Sequence, residues 1–524
     1  MKASILIFSI LFITTNLSAQ NDDWLNNGKQ INKLIAPSIE WSKCYGGSAD
    51  DNLWTIDLTP DGGYILGGST NSKNGDITTN HGKNDCWVVK INSKGDIEWQ
   101  KSYGGSSNDG IFSIISTSDG GYIAACYSDS KDGDVSKNNG NLDYWIVKLT
   151  SSGEIEWQKS MGGSNLEIPN SIIQTLDNGY VIAGYTNSED GDISGNHGEE
   201  DYWIVKLTPS GEIEWQKCLG YFDFEVATAI IQTSTGEYVV AGFHNDASIF
   251  KLDNNGNEIL HRTYGGGYPD VVSSFQQTTD GGYIIGGMTL SSDLIVTENH
   301  GEEDFWILKL RPDMEIEWQK CLGGSYRDYG TWIQLTNDGG YIFCGFTESD
   351  DFDVYGNNGS IDIWITKLDN EGIIEWQKCL GGTSDDLGAA IHQINDGGFI
   401  LGGSTNSIDG EVFENHGLDD FWVVKLSPEG DDGIKTLPST QIGLHLYPNP
   451  VEDKLSIEFN LDEPENVQIV VYSLLGEEML SVNYGLQSEG GHLYQINTDK
   501  FPQSMYKLIL RAGENQFPTK FIKV

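Results

Sequence analysis

An all-β fold is predicted for this chain: a seven-bladed β-propeller with four-stranded blades, followed by a small C-terminal Ig-like β-sandwich. Three observations predict the propeller, and the sandwich is inferred separately from the C-terminal motifs below. A tryptophan-containing segment recurs every 58 residues over most of the chain, glycine is abundant at 64 residues, and short strand-like segments alternate with glycine-rich turns. Four-stranded units repeated many times are typical of propeller blades.

Residues 1–20 are predicted to be a signal peptide. Lys2 provides the positive charge, Ile5–Ile13 is mostly apolar, and the small residues Ser18 and Ala19 precede the expected cleavage position. No later segment approaches the ~20 apolar residues of a membrane-spanning helix, and no cysteine stands at the cleavage position to carry a lipid. We therefore expect an exported protein without a transmembrane segment.

The formal net charge of −46 narrows the choice of partners. A field of this sign repels the phosphates of nucleic acids and anionic membrane surfaces. It also favours solubility and can attract divalent cations. Nucleic acid is therefore not an expected partner.

The repeat is defined by its tryptophans. Their successive spacings are 58, 58, 58, 103 and 58 residues, and the long interval divides into 45 and 58 at Leu260. The chain therefore contains seven units, one of which is 13 residues short. The tryptophans of the I-E-W-x-K segments are Trp41, Trp99, Trp157, Trp215, Trp318 and Trp376.

Each unit is predicted to contain four strands. In the unit that begins at Trp99 they are Ile97–Lys101, Ile111–Thr117, Tyr122–Tyr127 and Tyr144–Leu149, with a glycine turn between the second and third. A long polar loop separates the third strand from the fourth. The short unit lacks only this loop, so the loop is an addition to the blade and not part of its core.

The ends of the repeat region predict that the ring closes. The fourth strand of each unit is expected to pair with the I-E-W strand that follows it. The chain begins with an unpaired Ile39–Trp41, and the repeats end with an unpaired Phe421–Leu426, so these two segments are expected to pair. The propeller then covers 37–430, after an N-terminal segment at 21–36, and closure protects its sheet edges.

Repeat position also assigns the tryptophans and cysteines. Twelve of the 15 tryptophans occupy two repeat positions and are interpreted as core between blades, whereas Trp54 and Trp332 lie outside them and are candidates to face a ligand.

Four cysteines share one position on separate blades, beyond the ~7 Å Cα separation that a disulfide spans. Cys86, Cys126 and Cys344 occupy three further positions, so we expect buried thiols and no disulfide framework.

The hairpin from Tyr144 to Trp157, with its ending Gly153–Trp157, resembles the tryptophan-docking hairpin of quinoprotein-like propellers. The resemblance implies a shared blade architecture and not a quinone cofactor, and no vicinal cysteine pair accompanies it. A redox quinoprotein is therefore the least favoured functional hypothesis.

Six units carry the long loop, in which acidic and amide residues surround a glycine. Closely spaced Asp and Asn oxygens resemble a Ca²⁺ loop, which supplies about 6–8 oxygen ligands. The calcium ligands we would test first are Asp132, Asp134, Asp190 and Asp192. The alternative is that these side chains only form turns by bonding their own backbone, because a complete EF-hand loop with its bidentate Glu is absent.

The loops continue into an Asn-[His/Asn]-Gly triplet, in which His81, His197, His300 and His416 share one position. Repetition on different blades spreads these histidines around a rim, so a histidine metal cluster is not expected. The triplet is predicted to form a left-handed turn.

After the repeats, residues 431–443 are expected to form a linker, and 444–524 resemble the type A sorting domain of the type IX secretion system of Bacteroidota. The matching motifs are Leu446–Pro450, Val471–Gly476, Tyr506–Leu510 and Lys520–Val524. The resemblance implies a small β-sandwich that the secretion machinery recognises and usually removes, with the cargo released or attached to the cell surface. The alternative is an ordinary Ig-like binding module, since a fold alone does not fix a function.

Two functional hypotheses follow. The first is a secreted or surface-attached, non-catalytic binding or adhesion propeller with a glycan or surface protein as its ligand. The second is a polysaccharide-active enzyme, an endoglucanase-like glycoside hydrolase or a lyase, which predicts two carboxylates that break the repeat and face one cleft. We favour the first because no Ser-His-Asp order, G-x-S-x-G, H-E-x-x-H or phosphate loop is present, and no catalytic residue is assigned.

Overall fold

The structure of the protein is a computed structural model, which describes residues 36–221, 224–429, 435–436, 442–473, 478–513 and 515–524. These residues form 36 β-strands and no α-helix, as predicted. The predicted signal peptide at 1–20 lies outside the described residues, as does the segment at 21–36 apart from Ala36. Only four residues of the predicted linker at 431–443 are described.

Seven antiparallel sheets of four strands make up the repeat region. We number the sheets 1 to 7 and label their strands A to D from the centre outwards. The A strands are β2 (Asp51–Leu58), β6 (Asp109–Ser116), β10 (Glu167–Gln174), β14 (Val226–Gln232), β18 (Asp270–Gln277), β22 (Asp328–Leu335) and β26 (Asp386–Gln393). The B strands are β3 (Tyr64–Thr70), β7 (Tyr122–Ser128), β11 (Tyr180–Thr186), β15 (Tyr238–His244), β19 (Tyr283–Thr289), β23 (Tyr341–Thr347) and β27 (Phe399–Thr405).

The C strands begin with an aspartate in every sheet. They are β4 (Asp85–Ile91), β8 (Asp143–Leu149), β12 (Asp201–Leu207), β16 (Asp246–Leu252), β20 (Asp304–Leu310), β24 (Asp362–Leu368) and β28 (Asp420–Leu426). The D strands are β5 (Ile97–Tyr103), β9 (Ile155–Met161), β13 (Ile213–Leu219), β17 (Glu258–Tyr264), β21 (Ile316–Leu322), β25 (Ile374–Leu380) and, in sheet 7, β1 (Ile39–Tyr45). The four strands predicted for the unit at Trp99 are all present, with ends that differ by one or two residues.

The first strand of the chain completes the last sheet. β1 pairs antiparallel with β28, with Trp41 opposite Lys425 and Cys44 opposite Trp422. Each A strand packs against the A strand of the next sheet, and β26 of sheet 7 packs against β2 of sheet 1. The seven sheets therefore form a closed ring, and the predicted closure of a seven-bladed β-propeller is confirmed.

The core lies between neighbouring sheets. The C-strand tryptophan is buried in each of six sheets, as in sheet 2, where Trp145 Nε1 donates to Gln158 Oε1 at 2.9 Å. The D-strand tryptophan docks on the next sheet: the Trp99 ring lies 5.9 Å from the Tyr122 ring. It also covers the turn residue Gly153, whose φ is +75° and where a Cβ would lie 2.7 Å from the indole. The interpretation of both tryptophan positions as inter-blade core is confirmed.

All seven cysteines are free thiols in this structure, and the absence of a disulfide framework stays a prediction. One part of its reasoning needs correction. Cys86 and Cys126 occupy different repeat positions, yet they lie in the same buried cluster between sheets 1 and 2. Burial, and then the neighbouring Cys126 thiol, raise the pKa of Cys86. Positions that differ in the repeat can therefore meet across a boundary between sheets.

The C-terminal region forms two further sheets around a core of its own. One sheet has the order β29 (Lys435–Thr436), β36 (Asn515–Lys523), β35 (Ser504–Ala512), β32 (Glu465–Tyr472) and β33 (Glu478–Gln487). The other has the order β30 (His445–Tyr447), β31 (Lys454–Leu461) and β34 (Gly490–Asn497). The alternating residues Leu455, Ile457 and Phe459 of β31 share this core with Ile469 of β32, which confirms the predicted small sandwich.

Candidate functional site

The two ends of the sheets differ in their connections. The D-to-A connections between sheets and the long B-to-C loops lie at one end, which we call the loop face. The A-to-B and C-to-D turns lie at the opposite end, which we call the turn face.

A buried acid at the start of each A strand ties the loop face together. In sheet 1, Asp51 Oδ2 accepts hydrogen bonds from Gly47 N at 2.7 Å and Ser72 Oγ at 2.9 Å, and Oδ1 accepts one from Thr70 Oγ1. Burial raises the pKa of Asp51 to about 6, although these hydrogen bonds lower it. The acids at this position are Asp51, Asp109, Glu167, Glu225, Asp270, Asp328 and Asp386.

A second acid opens each C strand, and most of these acids have an oxygen with no partner. In sheet 2, Asp143 is fully buried and its Oδ2 accepts a hydrogen bond from Asn139 N at 2.7 Å. Its Oδ1 is buried without a hydrogen-bond partner, and the same is true of Oδ1 in Asp85, Asp201, Asp304, Asp362 and Asp420. An unsatisfied buried oxygen costs about 1–3 kcal/mol, so its sixfold repetition requires a physical reason.

The two sets of acids meet where neighbouring sheets adjoin. Between sheets 2 and 3, a Cβ on Gly162 would lie 2.5 Å from Glu167 Oε2 and 2.7 Å from Asp143 Oδ1. Burial, and to a smaller extent the Asp143 charge, raise the pKa of Glu167. We call a C-strand acid, the A-strand acid of the next sheet and the glycine between them a junction. The junction glycines are Gly46, Gly104, Gly162, Gly220, Gly265, Gly323 and Gly381.

Two of the four predicted calcium ligands, Asp132 and Asp190, accept hydrogen bonds from backbone N–H groups. Asp132 Oδ1 accepts a hydrogen bond from Ser106 N at 2.7 Å, and Asp190 makes the equivalent bond at 2.7 Å. Asn74 stands at the same position in sheet 1 and makes the same bond at 2.9 Å. An uncharged amide is sufficient there, so the position requires a hydrogen-bond acceptor and not a charge.

The other two predicted ligands, Asp134 and Asp192, turn toward junctions. Asp192 Oδ2 lies 3.2 Å from Gly162 N, and Asp134 Oδ2 lies 3.2 Å from Gly104 N. After burial, the Asp192 charge is one of the causes that raise the pKa of Asp143. The structure therefore brings Asp134 and Asp192 to two different junctions and does not bring the four predicted ligands together. The calcium assignment of these residues stays a prediction.

On the turn face, the acids are paired with lysines of the same sheet. Within the described ranges, only Asp338, Glu375 and Glu429 place three metal-ligating oxygens within 4.8 Å of one another. Lys367 Nζ lies 2.8 Å from Asp338 and 2.6 Å from Glu375, so a cation of the chain itself already pairs with two of the three acids. Equivalent lysines bridge two acids in five other sheets: Lys90, Lys148, Lys206, Lys309 and Lys425.

The prediction of a left-handed turn at the Asn-[His/Asn]-Gly triplet is wrong. Gly140 has no positive φ; instead Asn138 Oδ1 accepts a hydrogen bond from Gly140 N at 3.0 Å. Glycine is needed because a Cβ would lie 2.4 Å from Gly163 O of the adjoining connection. The histidines of the triplet pair with the C-strand acid of their own sheet, as His81 Nδ1 does with Asp85 at 2.7 Å.

Sheet 4 departs most from the repeat. Its B and C strands are joined by Asn245 alone, and Ser248 replaces the tryptophan found in the other six C strands. Ser248 Oγ is hydrogen-bonded to His261 Nε2 at 2.8 Å. The His261 ring stacks on Phe250 with ring centroids 4.0 Å apart. Sheet 4 therefore presents a surface on the loop face that lacks the long loop of the other six sheets.

Exposed aromatic side chains cluster on the connections next to sheet 4. Tyr221 and Phe224 precede sheet 4, Tyr268 precedes sheet 5 and Tyr326 precedes sheet 6, and all four are exposed. The other four connections contain no aromatic residue. We call these four residues the aromatic arc.

The two tryptophans predicted to face a ligand differ. Trp54 lies at the β-bulge of β2, is 38% exposed, and contacts Phe112 with ring centroids 5.8 Å apart. Trp332 is half-buried and packs against two core clusters and against the His392 ring at 5.4 Å, so it is less accessible to a ligand than Trp54. Trp54 stays a candidate contact.

A comparison with known protein families identifies the C-terminal region. Residues 445–524 match the family model of the secretion system C-terminal sorting domain. No curated protein matches the chain.

Solved structures similar to the chain share little sequence with it. A protein of unknown function from Bacteroides caccae is 13% identical, with a TM-score of 0.36, over 56% of this chain and 89% of its own. Sqt1 from Chaetomium thermophilum is 13% identical, with a TM-score of 0.39, over 71% of this chain and 82% of its own. The Pan2 WD40 domain from Neurospora crassa is 8% identical, with a TM-score of 0.40, over 72% of this chain and 89% of its own.

The fold and the C-terminal match together define the class of protein. The chain is a seven-bladed β-propeller that carries a type IX sorting domain. Such a domain implies an interaction with the type IX secretion machinery and export to the cell surface or beyond it. Among the described residues, no helix is long and apolar enough to cross a membrane.

Proposed function

We propose that this protein is a non-catalytic binding propeller that contacts its ligand at the aromatic arc of the loop face. The observation that carries the proposal is the arc itself, in which exposed aromatic rings occur on three consecutive connections and on no others. Exposed apolar patches mark interaction sites, and aromatic side chains contribute a large share of binding energy. The adjoining sheet 4 lacks the long loop that could cover such a contact.

The charge of the chain limits the ligand. A net charge of −46 disfavours polyanions, so the ligand class that fits the arc best is a neutral glycan. A surface protein is the other ligand that an exposed aromatic patch accommodates.

The proposed organisation of the chain follows the route of export. A signal peptide at 1–20 and a short segment at 21–36 precede the propeller at 37–430. A linker at 431–443 joins it to the sorting domain at 444–524. After removal of the sorting domain, the propeller is released or remains attached to the outer-membrane surface.

An array of immobilised neutral polysaccharides tests the proposal. The variant Tyr268→Ser/Tyr326→Ser places at both positions the residue that sheet 2 has as Ser107, so the fold should tolerate it. We expect binding by the unaltered protein and at least tenfold weaker binding by the variant, at an unchanged melting temperature. Phe413→Ser removes an exposed aromatic residue from the loop of sheet 7 and serves as the control. Equal binding by the arc variant and the unaltered protein would contradict the proposal.

One observation favours the alternative, a polysaccharide-active enzyme. Glu200 stands where sheets 1, 2 and 6 have Asn84, Leu142 and Ile361 and where sheets 5 and 7 have an acid, and its Oε2 is buried without a hydrogen-bond partner. Burial, and then the Glu199 charge, raise the pKa of Glu200 to about 7, which suits a general acid. A reducing-sugar assay on the same polysaccharides separates the two functions. If the protein releases sugar and Glu200→Gln abolishes that release, the protein is an enzyme and the proposed non-catalytic function is wrong.

A further inference from the structure

Five of the seven junctions bring a third acid to the same glycine. This acid comes from the long loop of the following sheet and accepts a hydrogen bond from the glycine N–H at 3.2–3.4 Å. Sheet 4 has no such loop, and sheet 5 has Ile295 at the position. The five acid triads are Asp420, Asp51 and Asp76; Asp85, Asp109 and Asp134; Asp143, Glu167 and Asp192; Asp304, Asp328 and Asp353; and Asp362, Asp386 and Glu411.

Every triad contains a buried oxygen without a partner. The C-strand acids Asp420, Asp85, Asp143, Asp304 and Asp362 are all 0% exposed, and Oδ1 of each is unsatisfied. At the third junction this oxygen points between the sheets, 2.7 Å from the position of a Cβ on Gly162. The orphaned oxygen and the neighbouring acids therefore face one small space.

Among the described residues these acids have no lysine or arginine partner. In three triads the C-strand acid pairs with a histidine of its own sheet, Asp85 with His81, Asp304 with His300 and Asp420 with His416, whereas Asp143 and Asp362 have an asparagine at that position. The turn face shows the contrast, because in six of the seven sheets a lysine lies there between two acids, as Lys148 does between Asp119 and Glu156 at 2.9 and 3.3 Å. At the third junction the partners of Glu167 are Gly163 N at 2.8 Å and Thr186 Oγ1 at 2.7 Å. Like charges held together in a buried space require a counter-charge or a proton.

We propose that each of these five junctions binds one divalent cation of the Ca²⁺ type, held by the C-strand acid, the A-strand acid and the loop acid. Carboxylate oxygens are the ligands that Ca²⁺ prefers, and water and backbone carbonyls complete its about 6–8 ligands. The oxygens of a triad do not all lie within 4.8 Å of one another. Binding therefore requires the loop acid to turn from the glycine N–H, and the hydrogen bond that it gives up is long.

The proposal assigns a role to part of the loop and not to all of it. Asp134 and Asp192 become ligands, whereas Asp132 and Asp190 remain backbone acceptors. Each bound ion would join two neighbouring sheets. The inference does not depend on the aromatic arc, so either proposal can fail while the other holds.

Calcium binding to the purified chain is the first test. The protein is stripped with EDTA at pH 7.5 and then equilibrated with CaCl₂ by dialysis. We expect about five ions per chain, half-saturation at roughly 0.1–1 mM as in extracellular calcium modules, and a melting temperature about 5–10 °C higher than in EDTA. No bound calcium and an unchanged melting temperature in 10 mM CaCl₂ would overturn the proposal.

Isosteric amide variants distinguish a cation from a shared proton. Asn has the shape of a protonated Asp but cannot supply a full charge to a metal. We expect Asp143→Asn and, separately, Asp192→Asn each to lose one bound ion per chain and part of the calcium-dependent rise in melting temperature. The melting temperature of Asp192→Asn in EDTA should match that of the unaltered protein, because only a long hydrogen bond changes.

Two control variants complete the experiment. Asp201→Asn alters a junction without a loop acid, and Asp132→Asn alters a backbone acceptor; neither should change the number of bound ions. If Asp143→Asn leaves the ion count unchanged and raises the melting temperature at pH 7.5 with or without calcium, a proton occupies the junction and the proposal is wrong.

Discussion

The packing of the junction at Gly162 depends on the absence of a Cβ atom. The two carboxylates beside it leave no room for a methyl group, so Gly162→Ala must displace a buried acid. We expect a loss of roughly 1–3 kcal/mol in the free energy of unfolding, measured by urea denaturation.

The matched control for that variant is Gly286→Ala. A Cβ there would lie 3.3 Å from Ile333, a tight contact that a shift of a few tenths of an ångström relieves, and sheets 2, 3 and 4 already have Ala125, Ala183 and Ala241 at this position. Its effect should stay within about 0.5 kcal/mol. Equal effects of the two variants would show that the acids at Gly162 move aside freely.

Lys148 supports the turn face in a way that a surface lysine does not. Its side chain is 2% exposed and Nζ contacts Asp119, Glu156 and the Leu149 carbonyl. Lys148→Met removes the only cation between two half-exposed acids, and we expect it to lower the free energy of unfolding by roughly 1–3 kcal/mol. Thermal or urea unfolding measures this.

The control is Lys159→Met, because Lys159 pairs with Glu212 at a more exposed position. Such a surface pair contributes about 0–1 kcal/mol. A loss at Lys159 as large as that at Lys148 would contradict the importance given to burial.

At the scale of the element, the long loops keep one backbone shape while their sequences differ. Gly75 and Gly133 have φ values of +68° and +67°, and Leu294 and Phe352 hold the same position with φ values of +54° and +53°. A left-handed conformation costs a non-glycine residue about 1 kcal/mol or more. Sheets 5 and 6 therefore carry strain that the other loops avoid.

Leu294→Gly should relieve part of that strain. We expect the free energy of unfolding to rise by about 0.5–1 kcal/mol, despite the greater freedom of glycine in the unfolded chain. Leu176→Gly alters an equally exposed turn leucine without positive φ and should give no gain. Differential scanning calorimetry of both variants decides whether φ is the cause.

The elements were predictable and the junctions were not. Strand identity follows from patterns along one repeat, and closure follows from the unpaired segments at its two ends. The junction joins Asp143 of one sheet to Glu167 of the next, and a pattern within one sheet carries no record of that contact. A usable signal was present, because an aspartate opens the C strand and an Asp or Glu stands at the start of the A strand in all seven units.

The roles of the loop acids also could not be predicted from the sequence. Asp132 and Asp134 are two residues apart in one loop, yet Asp132 accepts a short hydrogen bond from Ser106 N, whereas Asp134 accepts a longer one from the junction glycine, Gly104. Spacing alone could not separate these roles. The difference depends on the direction of each side chain at the bend around Gly133, which only the folded backbone fixes.

At the scale of the whole molecule, the buried acids predict how stability depends on pH in EDTA. Burial raises the pKa of Asp328 and Asp362 from 3.8 to about 6, so the folded state binds more protons between about pH 4 and 6. Stability should therefore fall as the pH rises through this interval.

The acids of the turn face act in the opposite direction at lower pH. Burial acts to raise the pKa of Asp119 and Asp177, but hydrogen bonds from Thr hydroxyls, backbone N–H groups and the buried lysines lower it to about 2. That stability is present above about pH 4 and is lost as the pH falls toward 2. Melting temperatures measured from pH 2 to 9 should thus peak near pH 4–5, and a continuous rise to pH 8 would contradict this account.

The closing contact between β1 and β28 links the order of synthesis to the order of export. Ser42 and Trp422 share a hydrogen bond of 2.8 Å although 380 residues separate them. A ribosome releases the N-terminal strand long before its partner exists, so a growing or truncated chain keeps two open sheet edges that invite aggregation. The sorting domain follows the last repeat in the sequence. Only a chain that already contains every strand of the ring therefore also carries the sorting domain, whereas a product terminated within the repeats lacks both β28 and the sorting domain.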